Sequence, residues 1–270
     1  EPTTCSDYGR FPLHCRVSAD QVQIKFNNDF FCTCQVAVRA TGDQPPPTLI
    51  FAGMGPESQS ECMAYDARVK VLFQPKGHFD AAVSLQWAHQ VLAPWARSSF
   101  LTTEWLLFQD NSPVQRRREY IRTVQVSGGE VCFGPPGATQ VWQPVDAGGI
   151  GDLLQTLAKD VFNCLMDSAG REERWRRGEF TAKDKRIVAT WVLGEVWSRF
   201  CGRAYDDIRM AAFVNTGCGL TITGKNDHQV RVQGHDQPHP IPPNPGQAFT
   251  DEEYISRSWT GHENFRFSDR

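Results

Sequence analysis

Apolar and polar positions alternate strictly from Val17 to Phe26, where Asp20, Val22, Ile24 and Phe26 share one side and polar residues face the other. This is the pattern of a half-buried strand. A second strand is expected over Phe30 to Ala40, with Cys32, Cys34, Val36 and Val38 inward and Thr33, Gln35 and Arg39 outward. Beyond the turn residues GDQPPP, the short apolar run TLIFAG reads as a third strand, so the opening third of the chain is expected to form an antiparallel meander. VKVLFQ (Val69 to Gln74) gives a further strand, and TEWLLFQDN is apolar on both faces up to Asp110, as a central strand must be. EVCFGPP reads as another strand, reached through SGG.

Helical spacing takes over between and after these strands. Ala81, Leu85, Ala88 and Leu92 mark a helix that Pro94 should end. A basic amphipathic helix is expected over about Val114 to Val126. Ile150, Leu153, Leu154, Leu157, Val161, Cys164 and Leu165 form one helical stripe. A last helix opens at Thr181 with Asp184 three residues on, the spacing of a capping box, and its Ile187, Trp191, Val192 and Trp197 should dock on the sheet. From about Thr223 the chain turns to proline, histidine and polar residues, and is expected to be disordered. Strands followed by strands alternating with helices imply a mixed α/β sheet with helices packed on it.

Composition narrows the picture only a little. The 270 residues, 40% of them apolar, suffice for one domain with a sizeable core. A formal charge of -3 carries no global signature of nucleic-acid binding, so any such contact must come from a local patch, of which QRRREYIR (Gln115 to Arg122) is the candidate. The bland reading of its arginines is a solvated helix face. Nine cysteines, odd in number and scattered through apolar runs, point to reduced thiols in an intracellular protein. Cys32 and Cys34 are read as small core residues rather than as half of a zinc site. No apolar stretch is long enough to span a membrane. The chain starts without methionine or signal peptide and reads as a piece of something longer.

Three acids stand apart by position. Asp20 lies on the apolar side of its strand, Asp110 ends the central strand, and Asp146 precedes the helical stripe that begins at Ile150. If that helix reaches back to Asp146, the carboxylate projects about 40° from the centre of the stripe and faces the sheet, whereas Asp152 projects to the far side. The competing explanation is an N-cap, a common use of aspartate worth about 1 kcal/mol. Three carboxylates on the core side of their elements suit hard divalent cations, held as a pair about 4 Å apart, of the kind that activates water for phosphodiester cleavage. Metal-free acid–base catalysis is the weaker alternative, since no histidine accompanies them.

The segments LLFQDN and FGPPGATQVWQPVDAG resemble the DDE superfamily of endonucleases, in its pogo-like branch of eukaryotic DNA transposases and their domesticated relatives. SADQVQIKF resembles the first acidic strand of that family, PPTLIFAGMG its third strand and glycine loop, FQPKGHFD the segment before its first helix, and KDKRIVATWVLGEVW with FVNTGC its closing helical part. The resemblance runs in order from about Cys15 to Leu220. It implies an RNase H-like fold with a mixed five-stranded sheet flanked by helices, in a domain spanning 15–222 between an N-terminal extension (1–14) and the tail (223–270). It further implies that Asp20, Asp110 and Asp146 are catalytic and bind two Mg²⁺ or Mn²⁺ ions. The implied partner is DNA in the nucleus, cut and joined by a homo-oligomer, with Arg116, Arg117, Arg118 and Arg122 the candidates to touch its backbone. Gln109, where the family commonly has an apolar residue, and Gly137, where it often has asparagine, are departures. No helix-turn-helix module precedes Asp20. The reading from a different class is a domesticated nucleic-acid-binding or scaffold domain that keeps the fold without turnover.

Overall fold

The computed structural model describes residues 9–27, 30–101, 103–134, 137, 139–167, 170–221 and 227–231. Of the expected tail, only residues 227–231 fall within these.

The alternating segments form the strands expected of them. Strands β1 (Arg16–Lys25), β2 (Phe31–Arg39) and β3 (Thr48–Ala52) pair antiparallel in succession, with Asp20 opposite Val36. β4 (Lys70–Gln74) adds to β3 in parallel at one edge. On the other side β5 (Trp105–Gln109) runs parallel to β1, and β6 (Gly129–Phe133) parallel to β5. The order is β4-β3-β2-β1-β5-β6. An antiparallel meander extended by parallel strands on the side of β1 is the mixed, RNase H-like arrangement. The sheet has six strands rather than five, because Lys70–Gln74 joins the edge through a full parallel ladder with β3.

Helices cover both faces, so the outward residues of the meander are buried too. On one face Val22, Ile24, Val36, Leu106 and Phe108 pack against α6 (Ile150–Met166), α8 (Ala182–Phe200) and α9 (Asp206–Asn215). On the other, Val17, Ala19, Ala37, Ile50 and Leu107 lie under α2 (Ala81–Trp87), α3 (Ala93–Ser99) and α4 (Arg118–Val126). The short helices α1 (Gln59–Ala64), α5 (Thr139–Trp142) and α7 (Arg171–Arg176) complete the set. Gln35, expected outside, is fully buried for this reason. Phe11, ahead of β1, is buried in the first core, and the buried Arg16 guanidinium donates to the carbonyls of Phe11 and Cys218 at 2.9 and 2.8 Å.

Three local expectations change. Pro94 does not end its helix: α2 passes through one wide π turn at Ala88–Leu92 into α3, and the proline sits in the first turn of α3, where its missing N–H costs least. The basic helix starts at Arg118 rather than Val114, because Pro113 lies in a turn in which the Gln115 and Arg116 N–H groups donate to the Ser112 carbonyl. Trp191 is 54% exposed, its indole N–H donating to the Ala64 carbonyl at 3.0 Å, while Val192 and Trp197 are buried as expected. The Thr181–Asp184 capping box is present. Among the described residues no helix is long and apolar enough to cross a membrane.

Candidate functional site

β1 and β5 part company at one point, and the acids gather there. The parallel ladder ends at the pair Ala19–Gln109. The next residue on each strand is an acid: Asp20 continues β1, and Asp110 leaves β5. Asp20 is 6% exposed, on the face that α6 covers. Its Oδ1 accepts the Gln21 N–H at 2.7 Å.

Asp146 comes from the other side of this fork. α6 does not reach back to it: the helix starts at Ile150, and Asp146 lies in a turn following α5. Nor does Asp146 cap α6, because the N-cap is Gly149, with φ of 75° and no side chain to offer. Gly148 is required by close approach, since a Cβ there would come within 2.3 Å of the Pro144 carbonyl oxygen and 2.5 Å of the Ala212 Cβ on α9. The two glycines press the turn onto the core and leave Asp146 close enough to Asp20 for its charge to bear on that carboxyl.

The electrostatics follow from this crowding. Burial pushes the Asp20 carboxyl up to about 8, helped by the charges of Asp146 and Asp110 and opposed by the Gln21 N–H. The Asp146 carboxyl is raised as well, first by burial; its hydrogen bond with Asp20 opposes this, and the charges of Asp110 and Asp152 add to it. Asp152, in the first turn of α6, is exposed, on the far side as expected. Thus the charges of Asp110 and Asp146 bear on Asp20 at a single site, and among the described residues no lysine or arginine forms an ion pair with Asp20 or Asp146.

Three carboxylates at one fork are a hard oxygen donor set that fits Mg²⁺ or Mn²⁺ in kind. They are not preset as a cage: among the described residues no three histidine, cysteine or acidic side chains already stand in a metal-holding arrangement. Cys32 and Cys34 are free and buried in the core; burial raises the Cys32 thiol well above its ordinary range and the Cys34 thiol to about 12.

Two side chains the sequence did not single out complete the site. Thr139 Oγ donates to Asp110 Oδ1 at 3.1 Å, and Gln143, fully buried, donates through Nε2 to the Ala19 carbonyl at 2.8 Å. Their spacing with Asp146 is i, i+4, i+7, one face of a helical path, and that was the signal available. Gln109 is also fully buried and donates to the Tyr120 hydroxyl at 2.6 Å, which accounts for a polar residue where an apolar one was expected. Arg116, Arg117, Arg118 and Arg122 are all exposed, in the loop and first helical turns that follow Asp110. Asp146 also lines an open groove of about 930 Å³ flanked by Lys25 and Lys159.

Fold and site together describe a mixed α/β domain with an acidic fork at the centre of its sheet. Among solved structures it is similar to the catalytic domain of Mos1 mariner transposase (16% identity over 76% of this chain and 88% of that one, TM-score 0.35). It is also similar to the Mos1 paired-end complex with Mg (19% identity, 75% and 58%, TM-score 0.41) and to a simian T-cell lymphotropic virus intasome in complex with a PP2A regulatory subunit (12% identity, 67% and 48%, TM-score 0.32). No protein-family model and no curated protein matches the chain.

Proposed function

We propose that this domain is a DDE-type, divalent-metal-dependent nuclease that cuts a DNA strand and passes the freed 3′-hydroxyl to target DNA. The observation that carries the reading is the fork itself: Asp20 is buried where the β1–β5 ladder ends, the charges of Asp146 and Asp110 both bear on it, and among the described residues no lysine or arginine forms an ion pair with Asp20 or Asp146. Burying like charges together is costly unless a cation or a proton balances them, and a structural role would have supplied an arginine. The ordered resemblance of LLFQDN and QPVDAG to DDE endonucleases supports the same conclusion.

Asp20, Asp110 and Asp146 would hold two Mg²⁺ or Mn²⁺ ions, which supply charge to activate a water and to stabilise the leaving oxygen of the phosphodiester. Asp20 is the rigid member, set by the β1–β2 ladder and by its Gln21 N–H bond. Thr139 fixes the orientation of Asp110 at the strand end. The groove between Lys25 and Lys159 gives a strand flanking the scissile phosphate a path away from Asp146. Exposed Arg116, Arg117, Arg118 and Arg122 track the phosphate backbone on the side of Asp110.

The test is nicking of supercoiled duplex DNA in Mg²⁺ or Mn²⁺. Asp110→Ala and Asp146→Ala should each lose about 10²–10³-fold in rate or more. Equal cutting by the variants, or none by the parent chain, would reject the enzyme. The absence of a preset metal cage favours one competing reading, a nucleic-acid-binding domain without turnover, for which the parent chain binds DNA but does not cut it. Replacing both Arg116 and Arg117 with glutamate should weaken DNA binding and flatten the slope of log affinity against log salt by about 1–2 units. An unchanged slope removes these arginines from the interface.

A further inference from the structure

β1 outlives its neighbour. Past the Ala19–Gln109 pair it runs on to Lys25 with no strand among the described residues on the β5 side, and backbone groups facing that side need other partners. Two glutamines take the place of the missing strand. Gln155, on α6, accepts the Lys25 N–H at 2.8 Å and donates to the Lys25 carbonyl at 2.7 Å. Gln143 donates to the carbonyl of Ala19, the residue immediately before Asp20. The backbone around Gln143 is itself tied into the turn: its N–H donates to the Thr139 carbonyl at 3.1 Å, and its carbonyl accepts the Ala147 N–H at 2.8 Å. One side chain therefore joins the strand carrying Asp20 to the turn carrying Asp146, and a fully buried amide 124 residues distant in sequence from its partner is costly to place unless that bond is made.

We infer that Gln143 is a positioning residue: donating to the Ala19 carbonyl where the β5 ladder ends, it fixes the turn of Asp146 in register with Asp20. This rests on the metal-dependent reading of the acids, but the strap itself can be read without metal. Packing alone does not account for it, since an apolar side chain of the same length would fill the space and lose the tie between β1 and the turn that carries Asp146.

The experiment compares the parent chain with Gln143→Met and Gln143→Glu, both close in length, and with Gln155→Leu, which removes the other strand surrogate at the far end of β1. Amide exchange followed by NMR should show the Gln143 side-chain amide protected in the parent. In the Gln143 variants the Ala147 and Gly151 amides, which close the turn on the Gln143 and Val145 carbonyls, should exchange at least about 10-fold faster while the distant core amides hold. Mn²⁺ affinity, read by paramagnetic broadening, should fall about 10–100-fold for the Gln143 variants and stay unchanged for Gln155→Leu. An unprotected Gln143 amide in the parent overturns the strap whether or not the variants fold. Unchanged Mn²⁺ affinity in folded Gln143 variants overturns the positioning role, and so does an equal loss in Gln155→Leu. If the parent binds no Mn²⁺, the nuclease reading fails, and the strap then stands or falls on the exchange rates alone.

Discussion

The molecule buries carboxylates in two places and treats them in opposite ways. Between α1 and α8, Glu61 is completely buried, yet Arg186 Nε donates to it at 2.6 Å, the Tyr65 hydroxyl at 2.5 Å and the Glu57 N–H at 2.8 Å. Burial pushes its carboxyl up, but these donors more than offset that and hold it at about 2. At the β1–β5 fork, Asp20 is buried almost as deeply, receives one backbone N–H, faces two further acids, and is pushed up to about 8. Every oxygen of Glu61 is answered within the protein, as a group joining two helices requires. Asp20 has a single such donor, the Gln21 N–H.

The comparison breaks first at Arg186. Arg186→Ala strands Glu61 without its cation, and losing one member of a buried pair should cost about 3–5 kcal/mol, seen as a lower urea midpoint. Replacing both partners, with Glu61→Leu and Arg186→Met together, should recover most of that loss, because a well-packed apolar pair avoids the desolvation that the ion pair must offset. If the double variant is as unstable as Arg186→Ala, the Glu61 cluster is doing more than joining α1 to α8, and the contrast with the fork weakens. DNA nicking should survive in the double variant, since neither residue lies among those acting on Asp20 or Asp146.

Neither the Glu61 cluster nor the Gln143 strap was visible in the sequence, and the reason is the same. Period-two alternation located β1, β2 and β3 and put Asp20 on the correct side, because parity is a local property of a strand. The capping box at Thr181 and the apolar stripe of α6 were equally local. Glu61 and Arg186, by contrast, are 125 residues apart, and Gln143 meets Ala19 across 124. Nothing in their neighbourhoods marks them, since a glutamine after Trp142 or a glutamate in GPESQSE reads as surface until the fold buries it. Pro94 misled because a single π turn, a feature with no sequence signature, relieved the conflict that should have ended the helix. At the fork the sequence placed Asp20 and Asp110 on their strands but put Asp146 at a helix start, where Gly148 and Gly149 instead make a turn ahead of α6.

The remaining prediction sharpens the comparison through its sign. A carboxyl whose pKa is raised on folding binds its proton more tightly in the native state. The stability this gives is present in full below the unfolded value near 4 and is lost as pH climbs through about 8. Glu61 runs the other way: its contribution is present above the ordinary glutamate range and is lost only as pH falls toward about 2. In chelator at pH 8.5, about half a unit above the Asp20 value, Asp20→Asn should therefore raise the melting temperature, by about 3 °C for each 1 kcal/mol of relieved repulsion in a domain of this size. At pH 5, where Asp20 already holds its proton, the same substitution should change little. Asp20→Asn should also abolish metal-dependent nicking, so that one replacement trades activity for stability. Should Asp20→Asn destabilise the chain at high pH, Asp20 would belong with Glu61 as a structural carboxylate, and the fork would lose its claim to be the reactive centre.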